Sequence, residues 1–279
     1  MQYRQKSLSW LAVIAAVFAL GVAIHGEISW RECSILLCLC FACELIDSGL
    51  GMGYGTILTP TLLLIGYEPR DIVPTVLLSE LLSGFAAAFF HNEIRNVELG
   101  IGGKDLLPAA LLAGGSVAGV GAGVLIAVSI PKALLCMMIG CVILTSGLFV
   151  VLLSRKVIEY RKWKMILLAT VASFNKAISG GGYGPLVTSG QILSGVQSRA
   201  SVGITSFAEA FTCLVAVILF LMKGGWINLE LFIPMCAGAL SSVPFAVFAI
   251  NKANEDHLKI VIGVLTMCMG ALTVYKGVD

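Results

Sequence analysis

Charge is scarce in this chain. Asp, Glu, Lys and Arg make up 12% of its 279 residues, and only three residues are histidine. With so little charge, 58% apolar residues is more than a water-soluble core of this length can enclose. The net charge of +2 points to no partner, and nucleic acid is not among the expected ones. His25 and His91 fall at the ends of apolar runs and His257 in a connection, a spacing that offers no metal site, so neither metal nor cofactor is expected. A cleavage site is lacking too. Arg4 and Lys6 precede the apolar run Leu8 to Ile24 as in a signal peptide, but no small-x-small pattern follows, so that run is read as a retained span. The nine cysteines lie almost wholly inside apolar runs. Cys40 and Cys43 form a CxxC, but without a polar setting they are expected to pack rather than to do redox or metal chemistry.

What is present is long hydrophobic runs. Mean hydropathy is +0.97, and repeated runs approach the roughly 20 residues a bilayer crossing needs. The chain is expected to be an all-α polytopic membrane protein of the cell membrane. It is also duplicated. An offset of 129 aligns Gly51 with Gly180, Gly53 with Gly182, Tyr54 with Tyr183, Gly55 with Gly184, Thr59 with Thr188, Arg70 with Arg199 and Glu80 with Glu209. Further on the offset slips to 126 at Pro108 and Pro234, then to 123 at Gly140 and Gly263, as when deletions fall in loops. After the first span the expected elements are 33–66, 72–90, 105–129 and 133–153, then 164–195, 200–222, 230–250 and 258–275.

Two of these are too long for one crossing. A straight helix over 33–66 would measure roughly 50 Å against a hydrocarbon core of about 30 Å. Each long element is divided by glycines, GLGMGYG at Gly49 to Gly55 and SGGGYG at Ser179 to Gly184. Irregular backbone at that depth is tolerated only inside protein or beside a water-filled cavity. Re-entrant hairpins with arms of about 16 and 12 residues are expected in the first copy. Positive charge agrees. Placing the basic connection Ser154 to Lys164 in the cytoplasm, two hairpins give 12 Lys and Arg inside and 5 outside; two crossings would give 10 and 7. One hairpin plus three crossings per copy turns the second copy upside down, giving inverted-topology repeats. The expected organisation is an extra N-terminal transmembrane helix over 1–30, repeat 1 over 31–154 and repeat 2 over 155–279, with the N-terminus cytoplasmic and the C-terminus outside.

The breaks are the expected site. Helices should restart near Thr56 and at Pro185, presenting free N–H groups and partial positive charge where the absent glycine side chains let a ligand approach. Substrate contact is assigned to Gly51, Gly53, Tyr54, Gly55, Asn175, Lys176, Gly180, Gly182, Tyr183 and Gly184. Lys176 has two open readings: direct contact with an anion, or a salt bridge to Asp47, its equivalent at the 129 offset. Glu80 and Glu209 lie near mid-span, where ionisable groups mark ion or proton pathways, and with Asp47 they are assigned to proton coupling; the plainer reading is protonated glutamates capping freed carbonyls. Glu44 is a weaker candidate of the same kind. The tyrosines could donate to a ligand or cover the site with a ring. Arg70 and Arg199, in tight turns, are expected to anchor at the interface. The partners are then a small anion and the lipid bilayer, and a homodimer is left open.

GLGMGYGTILTPTLLLIG in the first copy and ISGGGYGPLVTSGQILSGVQSRASVGITS in the second are each a glycine cluster, a short apolar helix ending in Gly66 or Gly195, and a following helix. In this the chain resembles the TauE/SafE family of membrane transporters, from about residue 33 to the end. The resemblance implies transport, usually export, of small sulfur-containing anions such as sulfite, sulfoacetate or other organosulfonates. It also implies that Gly51, Gly53, Gly55, Gly180, Gly182 and Gly184 match the family's glycine clusters. The first copy departs from consecutive glycines at Met52, and the extra first span lies outside the duplicated core.

The rival reading is an ion channel with GYG-containing pore loops. Inverted repeats cannot supply parallel loops from one chain, and Lys176 would repel a cation. An enzyme is not expected: Ser179 lacks a neighbouring base, Ala177 stands where a rhomboid-like GxSG has glycine, and no strand precedes the glycines as a dinucleotide site requires.

Overall fold

The computed structural model describes residues 30–153, 161–249 and 255–278. The expected span Leu8 to Ile24 and most of the basic connection from Ser154 lie outside them. Among the described residues there are ten helices and no strand. The first five are α1 (Trp30–Leu50), α2 (Tyr54–Ile65), α3 (Pro69–Glu93), α4 (Leu106–Ser129) and α5 (Lys132–Leu153). The next five repeat the same succession: α6 (Lys162–Ser179), α7 (Tyr183–Leu193), α8 (Ser198–Met222), α9 (Leu229–Ala249) and α10 (Glu255–Val278). Seven are long and apolar enough to cross a membrane; α2 and α7 have only 12 and 11 residues, and α6 carries Lys162, Lys164 and Lys176.

Both long elements break at their glycines. Gly51, Gly53, Gly180 and Gly182 have φ of 71°, 143°, 69° and 81°, a region that side chains other than glycine rarely adopt. Because Gly53 and Gly182 themselves cap the new helices, α2 and α7 restart at Tyr54 and Tyr183, two residues earlier than expected. Pro185 is therefore third in its helix, where its missing N–H is still one that no intrahelical carbonyl would take. The first arm is also longer than expected, with 21 described residues over Trp30–Leu50.

The chain bends at the first break. A Cβ on Gly53 would lie 3.0 Å from Ile46 Cγ2, one to two turns back along α1. Beyond α2, the Tyr67 phenol is pushed up from its ordinary value by burial, then by Glu32 in the first turn of α1 and Glu230 in that of α9. The end of the molecule at which α2 finishes holds the Glu68–Lys132 ion pair, Arg70 donating to Ile130 O (3.2 Å), Trp226 donating to Asp71 (2.7 Å) and Lys276 donating to Leu63 O and Leu64 O (2.8 and 3.0 Å). The opposite end gathers the Lys104–Glu98 pair, Asp105 accepting from Glu98 N, and Val97 packed on Gly203.

Small residues set helix directions by close approach. Gly115, Gly119 and Gly123 of α4 back onto Ile166, Thr170 and Phe174 of α6, so those two run parallel. Gly140 and Gly147 of α5 meet Val274 and Gly263 of α10, an antiparallel pair. The equivalent helices α3 and α8 are antiparallel as well, with Gly84 at Ala210 and His91 at Gly203.

Candidate functional site

The two breaks touch, and they do so reciprocally. A Cβ on Gly55 would run into the Gly180 carbonyl and Gly181, and one on Gly184 into the Gly51 carbonyl and Met52. Thr188 of α7 donates to Gly51 O across the contact at 2.8 Å, while its equivalent Thr59 of α2 faces Gly180. No side chain larger than hydrogen fits between these backbones. Tyr54, Met52, Tyr183 and Lys176 are fully enclosed there.

Beside the crossing lies a cluster of charge. Lys176, in the last turn of α6, ion-pairs with Glu80 of α3 and with Glu209 of α8, the latter at 2.8 Å. Carboxylate oxygens of Asp47, Glu80 and Glu209 lie within 4.8 Å of one another, close enough to share a cation, and the Lys176 ammonium supplies one to the two glutamates. All four are buried. Asp47 accepts from Tyr54 N (3.2 Å), the first amide of α2. One turn before it, Glu44 accepts from Ser48 Oγ (2.5 Å) and Ser83 Oγ (3.0 Å).

Two expectations change here. Lys176 closes on Glu80 and Glu209 rather than on Asp47, and these glutamates face an ammonium instead of capping freed carbonyls. Nor is the region simply positive. A helix N-terminus attracts the chain's own carboxylate as readily as a free anion, and Asp47 already sits on the amide of Tyr54. Three carboxyl groups therefore surround one ammonium.

The other expected residues fall around this centre. Tyr54 OH bonds Ser79 Oγ at 2.7 Å and Tyr183 OH bonds Ser116 Oγ at 3.2 Å, so both hydroxyls have partners within the protein. Asn175 is half-buried, its carbonyl accepting from Ser179 Oγ (2.8 Å) and its Cβ facing Gly182. Arg70 lies at a helix start at one end of the molecule, and Arg199, at the start of α8, at the other. Cys40 and Cys43 are free and buried in the apolar core. Sequence reasoning missed the hydroxyl shell: Ser79, Ser83, Ser116, Thr188, and Thr205, which is bonded to both Thr188 and Gln191. The matched threonines 59 and 188 were the available signal.

The chain is 28% identical over 241 residues, 82% of its length and 78% of the relative's, to the probable membrane transporter protein YtnM of Bacillus subtilis (strain 168). No solved structure matches it. The sulfite exporter TauE/SafE family profile matches residues 35–273, which take in both breaks, Lys176 and all three carboxylates, and the chain belongs to that family.

Proposed function

We propose that the protein is a secondary transporter of small sulfur-containing anions, sulfite or an organosulfonate, working by alternating access with proton coupling. The family name supplies the substrate class. The observation that carries the mechanism is the meeting of two glycine breaks beside a buried lysine held by two glutamates. The breaks are read as tips of re-entrant hairpins in two inverted repeats of five helices each. Supporting this are the fold-back at Gly53, the shared end of Glu32 and Tyr67, and the antiparallel setting of α3 with α8 and of α5 with α10. An axis in the membrane plane turns equivalent helices antiparallel, whereas an axis along the normal would leave them parallel.

Proton coupling follows from charge balance. An anion reaching Lys176 competes with Glu80 and Glu209 for the one ammonium in the cluster, and a displaced carboxylate with no cation is costly to keep buried unless it takes a proton. Anion and proton then enter and leave together. Asp47, which has the amide of Tyr54 but no ammonium of its own, is the next acceptor in the cluster. Rocking of one repeat against the other at the glycine contact would expose the cluster to each side in turn. The channel reading gains nothing here, since Gly51 O accepts from Thr188 of the opposite hairpin rather than facing a lumen.

Purified protein in vesicles with an imposed pH gradient tests the proposal. Uptake of labelled sulfite or sulfoacetate should follow the gradient and collapse with a protonophore. Uptake indifferent to the gradient removes the coupling, and absence of uptake for every sulfur anion tried removes the substrate class.

A further inference from the structure

Where α2 ends, a cavity of about 360 Å³ opens between that helix, the first turns of α5 and the last turn of α10. Its wall includes Tyr67, Lys132, Cys136, Thr273 and Lys276, and among the described residues no carboxylate lines it. Neither ammonium is used up by its partners. Lys276 gives two bonds, to Leu63 O and Leu64 O, and Lys132 gives one, to Glu68, whereas an ammonium has three protons to donate. The Thr273 hydroxyl donates to Met269 O (2.8 Å) and keeps its lone pairs for another donor. The duplication does not carry the lysine pair, since at the 123 offset Leu153 stands for Lys276 and Glu255 for Lys132. It belongs to one end of the molecule and has no role in the central crossing.

We propose that this cavity is a second anion site, separate from the Lys176 cluster, that takes a sulfonate or phosphate group between Lys132 and Lys276. Such a group has oxygens for both ammoniums, and the cavity is large enough for a small organic anion. Because Lys276 also holds the last carbonyls of α2, an occupant would draw on the same lysine that anchors the arm leading to the central site. The chemistry fits two sources, a free sulfonate or a phospholipid headgroup. The choice of sulfonate rests on the transport reading; the site itself rests on the cavity and its charges.

Cys136 provides a reporter inside the wall. In the full chain with Cys136 as the sole cysteine, the rate of maleimide labelling is measured in detergent with sulfoacetate, or with chloride at equal ionic strength. Sulfoacetate should slow labelling several-fold and chloride should not. Lys132→Gln with Lys276→Gln should abolish the protection. Should that variant fail to fold, Glu68→Gln, which frees Lys132, should strengthen it. A parallel measurement compares nanodiscs of phosphatidylcholine and phosphatidylglycerol: slowing by the anionic lipid alone assigns the site to a headgroup. No slowing by either source, or protection that survives loss of both lysines, overturns the site. Sulfoacetate uptake by vesicles that persists in that case leaves the transport reading standing, whereas protection at Cys136 without any uptake leaves the site and removes the transport reading.

Discussion

The Lys176 ammonium lies 2.8 Å from Glu209 Oε1 where neither side chain meets water, and Glu80 closes on it from another helix. One lysine thus ties α6 to α3 and α8, a contact whose loss strands two carboxylates in a dry interior. Breaking a buried ion pair by removing one partner typically costs about 3–5 kcal/mol. Lys176→Met should lower the melting temperature of the purified protein markedly. Adding Glu80→Gln and Glu209→Gln should recover part of the loss, because no uncompensated charge then remains at those two positions. A Lys176→Met protein that melts like the parent, or a triple variant worse than the single, would show that these groups are not energetically joined.

The same pairing sets a competition. An anion at Lys176 competes with Glu209, so Glu209→Gln should bind the anion more tightly, by about tenfold if the weakened competitor is worth about 1.4 kcal/mol. Isothermal calorimetry with sulfoacetate on the two proteins reads the difference. Equal affinity would place the anion elsewhere.

At the crossing the backbones leave no room for a methyl group. Gly55→Ala would drive its Cβ into the Gly180 carbonyl and Gly184→Ala into that of Gly51, and in each case the obstacle is backbone rather than a flexible side chain. Overpacking of this kind costs about 1–3 kcal/mol and forces the two breaks apart. Both variants should lose transport. Gly114→Ala, whose Cβ would meet nothing within 4 Å, should behave as the parent in stability and uptake.

Much of this organisation is legible in the residues themselves. Helix limits at 69–93, 106–129 and 198–222 fall within about three residues of what hydropathy length alone indicates. The breaks announce themselves because glycines with positive φ have few other uses inside an apolar run. The pairing within the cluster was not legible. Duplication aligns Asp47 with Lys176 and Glu80 with Glu209, but equivalence says only that they hold matching places in the two copies, not which side chain reaches which. Lys176 meets the two glutamates because α3 and α8 pack on one another, a long-range contact with no local signature. The hydroxyl shell was hidden for a similar reason. Ser79 and Ser116 read as ordinary small residues until Tyr54 and Tyr183 are brought to them from other helices.

A re-entrant hairpin has both its flanks on one side of the membrane. Tyr67 follows α2 and lies near Glu32 at the start of α1, so positions 31 and 67 should open to the same face of the membrane although a complete hairpin separates them. In the second half, positions 161 and 196 flank α6 and α7 in the same way and should open to the other face, which positions 96 and 102 share. Cysteines placed singly at these positions in a cysteine-free chain, treated in sealed vesicles with an impermeant maleimide, should sort into the two groups 31, 67 and 96, 102, 161, 196. If either glycine-broken element crossed outright, its two flanks would label from opposite sides. The repeat built on it would then contain an even number of crossings, which returns the second copy to the orientation of the first and leaves the antiparallel setting of α3 and α8 without a symmetry to explain it.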